Sequence, residues 1–233
     1  MDLSEQLRLF HEIQARVAHE VRSDDRVLAV WLGGSLGRGQ GDVLSDIDLV
    51  VVAREGRIRE LVESSDRLIS VVAPAALVHN APQNAPLEGQ QLNVLYDTSP
   101  LPVYIDWNLW PTVAERPSDV AVLLEKDVPI PAANDTFQSM LVKMPPPVVT
   151  PKTADEWDHF RVFMVPILLK SAARGWFESV HRILEYMQRP NPSTSTLDEA
   201  LELAGSVLDD CGKGETVEAL ACIRRYMSLI SDG

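Results

Sequence analysis

Cysteine and basic residues are both scarce in this sequence of 233 residues. The two cysteines, Cys211 and Cys222, are too few for a disulfide framework, which excludes the class of small disulfide-stabilised secreted domains. Lys and Arg total 21 against 34 Asp and Glu, a formal net charge of −13 that repels nucleic-acid backbones. We therefore expect no nucleic-acid partner. The same charge would attract cationic ligands, or it serves only to keep the protein soluble.

Long apolar runs are missing as well. No apolar run approaches the roughly 20 residues that span a bilayer. The N-terminal segment MDLSEQLRLFHEIQARV is charged and amphipathic, without the apolar stretch of a signal peptide. We therefore expect no membrane partner and a cytoplasmic location.

The N-terminal part of the chain has the hydrophobic pattern of alternating helices and strands. Apolar residues three and four apart predict a helix over residues 3–22. Two short, nearly all-apolar runs predict buried strands over 27–32 and 46–53, on either side of a glycine-rich turn. The remaining predictions for this part are a helix over 58–69, a loop over 74–90, strands over 91–97 and 102–110, and a strand or short helix over 120–127.

The C-terminal part has a helical pattern. Apolar and aromatic residues recur at helical spacing from about residue 157 to 187, and Pro166 should kink or split that helix. Two further helices are predicted over 197–210 and 215–230.

These patterns predict an α+β fold in two parts. Residues 1–142 form a mixed-sheet domain, and residues 154–233 form a helical bundle. The proline-rich stretch KMPPPVVTPKT at 143–153 is the predicted linker between them.

Three aspartates stand where the predicted strands can bring them together. Alternate residues of a strand project from the same face, so Asp46 and Asp48 project together, and Asp106 joins them if its strand pairs with theirs. Three carboxylates repel one another unless a cation compensates, and hard oxygen ligands favour Mg²⁺ or Mn²⁺ over zinc. The alternative for Asp46 and Asp48 is a pair of acids that caps a turn.

The turn Gly33-Gly34-Ser35 is a candidate phosphate-binding element. Glycine lets the backbone approach a phosphate, whose oxygens accept hydrogen bonds from backbone amides and from the Ser35 hydroxyl. Alternatively, Ser35 caps the helix that follows. Arg38 either contacts a phosphate or pairs with Asp42.

The pattern G-G-S, then D-x-D on the next strand, then a lone Asp on a later strand resembles the nucleotidyltransferase superfamily of DNA polymerase beta type. The stretch WLGGSLGRGQGDVLSDIDLVVV is particularly similar to small bacterial enzymes that adenylylate aminoglycoside or lincosamide antibiotics. The later LLKSAARGWFESVHRILEYM is similar to the first long helix of their C-terminal bundle. The resemblance covers the catalytic core well and most of the chain loosely.

The resemblance implies a nucleotidyltransferase domain that uses ATP or another nucleoside triphosphate together with Mg²⁺. It assigns Gly34 and Ser35 to the nucleotide phosphates and Asp46 and Asp48 to the metal. It assigns Asp106 to the catalytic metal, nearest the acceptor hydroxyl.

Lys170 and Arg174 lie four residues apart on one face of the predicted C-terminal helix. In the enzymes that the chain resembles, a lysine in this region often contacts the triphosphate, so we assign Lys170 to the nucleotide. The alternatives are a solvated basic face and an ion pair of Arg174 with Glu178. We take Arg174 as structural.

The expected reaction is transfer of AMP, or another nucleoside monophosphate, to a hydroxyl of a small molecule with release of pyrophosphate. The resemblance suggests an aminoglycoside or lincosamide as the acceptor and hence a role in antibiotic resistance, although kinship of fold carries chemistry better than substrate. The alternative is an antitoxin-type nucleotidyltransferase that binds or adenylylates a partner protein. Some of the resembling enzymes build their active site across a dimer. The sequence leaves open whether this protein is a monomer or a homodimer.

Overall fold

The computed structural model describes residues 3–127, 129–146, 150–191 and 193–232. The chain divides into two compact units between residues 149 and 150. The first unit contains a sheet with helices, and the described part of the second is helical. Residues 147–149, a part of the predicted linker, lie outside the described residues.

The helices and strands of the first unit have the following bounds. The strands are β1 (Val27–Leu32), β2 (Ile47–Ala53), β3 (Ala75–Asn80), β4 (Gln90–Tyr96), β5 (Val103–Trp110) and β6 (Ala121–Glu125). The helices are α1 (Leu3–Glu20), α2 (Gly34–Gly37), α3 (Ile58–Glu63), α4 (Ser65–Ile69) and α5 (Phe137–Lys143).

The second unit contains α6 (Ala154–Ala173), α7 (Phe177–Tyr186), α8 (Leu197–Cys211) and α9 (Val217–Ser231). The side chain of Thr153 accepts a hydrogen bond from the amide of Glu156, and the Glu156 carboxylate accepts one from the amide of Thr153. This capping box fixes where α6 begins. Helices α8 and α9 confirm the two helices predicted over 197–210 and 215–230.

The sheet has the strand order β3-β4-β5-β2-β1-β6. Strands β2 and β5 are parallel, and the other neighbouring pairs are antiparallel. The predicted α+β fold, a mixed sheet followed by helices, is confirmed. Strand β5 therefore lies beside β2, although their paired residues are 58 positions apart in the sequence.

Apolar residues cover both faces of the central strands. On one face, Phe10, Ile13 and Val17 of α1 belong to a cluster with Leu49 of β2. On the other face the core contains Trp31, Val50 and Trp110, and the ring of Phe137 in α5 stacks on Trp110 at 4.9 Å between centroids. Strands β1 and β2 are buried on both faces, which explains their nearly continuous apolar sequences.

The predicted loop over 74–90 is wrong for residues 75–80, which form the edge strand β3. In this strand Leu77 and His79 are buried, whereas Val78 is exposed. The composition of the segment hid the strand because the prolines and amides that indicate a loop lie on its flanks, at Pro74 and after Asn80.

The predicted helix over 58–69 is interrupted at Ser64, where α3 ends and α4 begins. The Ser64 hydroxyl donates to the carbonyls of Glu60 (2.9 Å) and Leu61 (3.2 Å), and it accepts a hydrogen bond from Arg26. A serine that bonds to nearby carbonyls competes with the helical hydrogen bonds, which accounts for the break.

A split at Pro166 was also a wrong expectation. Helix α6 continues past this residue to Ala173, and the break occurs at Gly175, whose φ of +72° lies in the left-handed region. Val165, directly before the proline, and Leu168, two residues after it, are 0% and 1% exposed. Packing in the core thus holds the helix across the proline, and the glycine ends it.

The segment 120–127 was predicted as a strand or a short helix. It contains the strand β6, which pairs with β1 at the edge of the sheet. Helix α5, which covers part of one sheet face, was not predicted from the sequence.

Candidate active site

The candidate aspartates Asp48 and Asp106 are direct register partners on the parallel strands β2 and β5. Paired positions of neighbouring strands present their side chains on the same face of a sheet. Both aspartates are partly exposed, whereas Ile47 and Leu49 beside Asp48 are fully buried. The sheet therefore brings two candidate carboxylates to adjoining positions. Asp46 precedes β2 by one residue, in the two-residue period of Asp48.

The glycine turn is attached to the same aspartate. The amide of Gly33 donates to the carbonyl of Asp48 at 2.7 Å. Gly34 has a φ of +61°, and a Cβ at this position would lie 2.6 Å from Cγ of Asp48 and closer still to Oδ2. The turn thus has space for the Asp48 carboxylate only because residue 34 lacks a side chain.

Ser35 lies inside the short helix α2, after Gly33, which occupies the N-cap position. The expectation that Ser35 might instead cap this helix is therefore wrong. Its hydroxyl donates to Oγ of Ser45 at 3.1 Å, and Ser45 in turn donates to Oδ1 of Asp42 at 3.1 Å. This chain of hydroxyls connects the glycine turn to the loop that leads into Asp46.

Arg38 lies close to Asp119, with 3.8 Å between Nη1 and Oδ2, instead of pairing with Asp42. Asp42 is occupied by Ser45 and by the amide of Leu44. Oδ1 of Asp119 accepts a hydrogen bond from the amide of Phe137 at 2.7 Å, which anchors the start of α5. Sequence reasoning missed Asp119, because no motif surrounds it.

Several of these residues border a cleft of about 590 Å³ in the first unit. Its described lining residues fall into three groups. The candidate-site group is Gly33, Gly34, Arg38, Asp48 and Asp119; the carboxamides are Gln83, Asn84, Gln91, Asn108 and Gln138; the others are Val50, Ala85, Phe137, Leu141, Val142, Met144 and Pro146. Of the predicted site residues in this unit, Ser35, Asp46 and Asp106 lie outside this lining set.

The donor atoms of the candidate site are oxygens of the type that a hard cation prefers. Asp48 and Asp106 contribute carboxylate oxygens from adjoining strand positions, the ligand type that Mg²⁺ and Mn²⁺ prefer. Within the residues that the structure describes, no three His, Cys, Asp or Glu side chains form a group that could hold a metal ion. Convergence of all three aspartate side chains on one cation therefore stays a prediction.

A buried hydrogen-bonded pair supports β5 from the opposite face of the sheet. The hydroxyl of Tyr96 accepts a hydrogen bond from Nε1 of Trp107 at 3.1 Å and donates to the carbonyl of Ile69 at 2.8 Å. Burial raises the pKa of Tyr96 well above its usual value, so the hydroxyl keeps its proton. Since Trp107 directly follows Asp106, this pair helps to hold the aspartate's strand in place.

Lys170 and Arg174 belong to the second unit. Lys170 is 8% exposed, so a solvated basic face is a wrong description of this residue. The guanidinium of Arg174 lies 4.8 Å from the ring centroid of Trp176, which agrees with a structural role. The assignment of Lys170 to the nucleotide stays a prediction.

Residues 15–84 match the family model described as a nucleotidyltransferase domain. The matched segment contains the glycine turn, Asp46 and Asp48, and it ends before β5, so Asp106 lies outside it. No curated protein matches the chain. The match covers less than a third of the chain, and it supports group transfer from a nucleoside triphosphate in general.

In the described ranges, no helix is both long enough and apolar enough to cross a bilayer.

Proposed function

We propose that the protein transfers a nucleoside monophosphate, with ATP as the donor, to a hydroxyl of a small molecule. The observation that carries this proposal is the register of Asp48 with Asp106, beside a glycine turn that belongs to a matched nucleotidyltransferase domain. The proposal includes a cytoplasmic location, on the sequence argument given above.

The reaction is an in-line displacement at the α-phosphorus. The acceptor oxygen forms a bond to phosphorus, the bond from phosphorus to the bridging oxygen breaks, and pyrophosphate leaves. The acceptor proton passes to Asp106 or another carboxylate and then to solvent. Such a transfer depends mostly on positioning and on neutralising charge.

Each candidate residue has a role in this proposal. The amide of Gly34, the Ser35 hydroxyl and Arg38 bind the phosphates, whereas the amide of Gly33 is committed to the carbonyl of Asp48. Asp106 orients the acceptor hydroxyl and receives its proton. Lys170 is assigned to the nucleotide on the resemblance alone.

Mg²⁺ or Mn²⁺, held by Asp46, Asp48 and Asp106, would neutralise the charge on the transferred and leaving oxygens. The hard oxygen donors of these residues fit such an ion.

For the acceptor, the resemblance favours an aminoglycoside or a lincosamide. The test is to incubate the purified protein with ATP, Mg²⁺ and a panel of both antibiotic classes, and to measure pyrophosphate release and product mass. The proposal expects one acceptor whose mass rises by one AMP. Pyrophosphate release with none of these compounds, together with labelling of a partner protein, would favour the antitoxin-type alternative.

A further inference from the structure

Two of the carboxamides in the cleft lie side by side on neighbouring strands of the sheet. Asn108 of β5 is the register partner of Val50 in β2 and of Gln91 in β4. Side chains of paired positions share a face, so Asn108 and Gln91, here called the carboxamide row, lie on the face that carries Asp48 and Asp106. Both residues line the cleft.

Gln91 is a buried amide whose side-chain oxygen has no hydrogen-bond partner among the residues that the structure describes. The residue is 8% exposed, and this oxygen, Oε1, is shielded from solvent. Buried polar groups are nearly always hydrogen-bonded, so an unpaired one that lines a cleft calls for an explanation. A ligand group in the cleft would satisfy it.

Asn108 contributes a partly committed amide beside it. The residue is 3% exposed, and its Nδ2 donates to the carbonyls of Leu49 (3.3 Å) and Asp106 (3.2 Å). These bonds fix the orientation of the amide. With Nδ2 engaged in this way, the side-chain oxygen of Asn108 can accept a hydrogen bond from a ligand beside Gln91.

The direction of the proposed reaction places the acceptor over this row. In an in-line displacement the attacking and leaving oxygens lie on opposite sides of phosphorus. The glycine turn, proposed to hold the phosphates, follows β1, on one side of Asp48, whereas β5 and β4 lie on the other side. The acceptor therefore approaches from the side of β5 and β4, where Asn108 and Gln91 stand.

The charge of the lining indicates what kind of acceptor fits. Among the described lining residues the charged side chains are Arg38, Asp48 and Asp119, and the first and last of these lie 3.8 Å apart as an ion pair. The acceptor side is lined by neutral amides and by apolar side chains of α5 such as Leu141. A hydroxyl both donates and accepts, so it can pair with a carboxamide in either orientation.

We infer that Gln91 and Asn108 are the specificity-determining residues that bind the hydroxyls of an acceptor with little or no positive charge, rather than of a polycation. This inference rests on the proposed function. It adds the acceptor side of the site, whereas the nucleotide side consists of the turn and the aspartates.

The variant Gln91→Met tests the inference, because it keeps the length of the side chain and removes the amide. The probes are lincomycin, which carries a single amine, and kanamycin, which is polycationic. The wild type should use lincomycin at least tenfold better than kanamycin in kcat/KM, measured by pyrophosphate release. Gln91→Met should raise the KM for lincomycin roughly 10- to 100-fold and leave the KM for ATP unchanged.

Gln90→Met is the matched control. Gln90 has the same unpaired buried oxygen, but it occupies the neighbouring strand position, whose side chain points to the opposite face, and it lies outside the described cleft lining. This variant should leave both KM values unchanged. A second variant, Gln91→Glu, adds a carboxylate and should move the preference toward kanamycin.

A stability measurement separates ligand binding from a structural role. Removing an unpaired buried amide should leave the thermal midpoint of Gln91→Met equal to or above that of the wild type. A fall in the midpoint with unchanged KM values would overturn the inference, as would preference of the wild type for kanamycin or a change in the KM for ATP alone. Absence of pyrophosphate release from the wild type with every acceptor would instead overturn the proposed function on which the inference rests.

Discussion

Gly34 and the carboxylate of Asp48 occupy space that no other residue at position 34 could share. A Cβ on Gly34 would lie 2.6 Å from Cγ of Asp48, and the glycine has a φ of +61°. The glycine turn and the aspartate are therefore one structural unit, so a change in one displaces the other.

Gly34→Ala should reduce activity because its Cβ would displace the Asp48 carboxylate. This loss should be larger than the loss that backbone strain at residue 34 alone would cause. The strain of a left-handed alanine is about 1–2 kcal/mol, whereas displacement of a reacting group by about 1 Å lowers the rate roughly 100-fold. We expect nucleotidyl transfer, measured by pyrophosphate release, to fall by about that factor.

Gly39→Ala is the control for backbone strain. Gly39 has a similar φ of +69°, but a Cβ there would meet nothing within 4 Å. Both variants should lose similar stability in urea unfolding, and only Gly34→Ala should lose activity. Equal activity in the two variants would show that the space beside Asp48 is irrelevant to function.

Asp48→Asn should abolish transfer without unfolding the protein. Charge neutralisation at the transferred group is worth several kcal/mol, so the rate should fall roughly 100-fold or more. Stability should hold, because the change removes a negative charge beside Asp106. Pyrophosphate release and a thermal melt measure the two effects.

Asp97→Asn is the matched control for a change of net charge. Asp97 is exposed and follows β4 outside the described cleft lining. Full activity is expected here, and an Asp48→Asn protein as active as this control would refute the proposed metal ligand.

Asp24 should make the stability of the protein dependent on pH in the acidic range. The Asp24 carboxylate accepts hydrogen bonds from Nε (2.9 Å) and Nη2 (2.6 Å) of Arg26, and this side-chain bond is the main reason that its pKa is lowered. A lowered pKa in the folded state means that the stabilisation is present above the unfolded value of about 3.9 and is lost as the pH falls through the folded value.

Asp24→Asn should therefore lower the free energy of unfolding by about 1–2 kcal/mol at pH 7. The difference from the wild type should shrink as the pH falls below about 4. Asp25→Asn, next to it with a side chain 82% exposed, should have little effect at either pH. A constant difference between Asp24→Asn and wild type across that range would contradict this prediction.

Tyr96→Phe should destabilise the sheet under Asp106. Removing the hydroxyl leaves the buried Nε1 of Trp107 and the carbonyl of Ile69 without their partner, which costs about 1–3 kcal/mol. Urea unfolding measures the loss. Tyr186→Phe, whose residue is 66% exposed, should be nearly neutral, and equal losses in both variants would argue against the buried pair.

Local pattern was sufficient for the elements that carry the site. The runs VLAVWL and IDLVVVA have enough apolar, β-branched residues to predict β1 and β2, and the glycine turn between them is visible in composition alone. The apolar spacing also predicted α8 and α9 within one or two residues. These features depend on neighbours a few positions away in the chain.

Composition failed where a long-range contact or a single bond decided the outcome. Strand β3 forms because it pairs with β4, and α6 continues past Pro166 because buried neighbours hold it there. Ser64, in contrast, ends α3 by hydrogen bonds to carbonyls within the same turn. None of these three effects is visible in hydrophobic spacing.

The residue types of the candidate site, the Gly-Gly-Ser turn and the D-x-D pair, are properties of the chain, and their spacing alone indicated phosphate chemistry. The pairing of Asp48 with Asp106, the unpaired amide of Gln91 and the contact of Arg38 with Asp119 arise only on folding. The first joins residues 58 positions apart, the last joins residues 81 positions apart, and the unpaired amide depends on burial. Strand register is set by packing across the whole sheet rather than by any local preference.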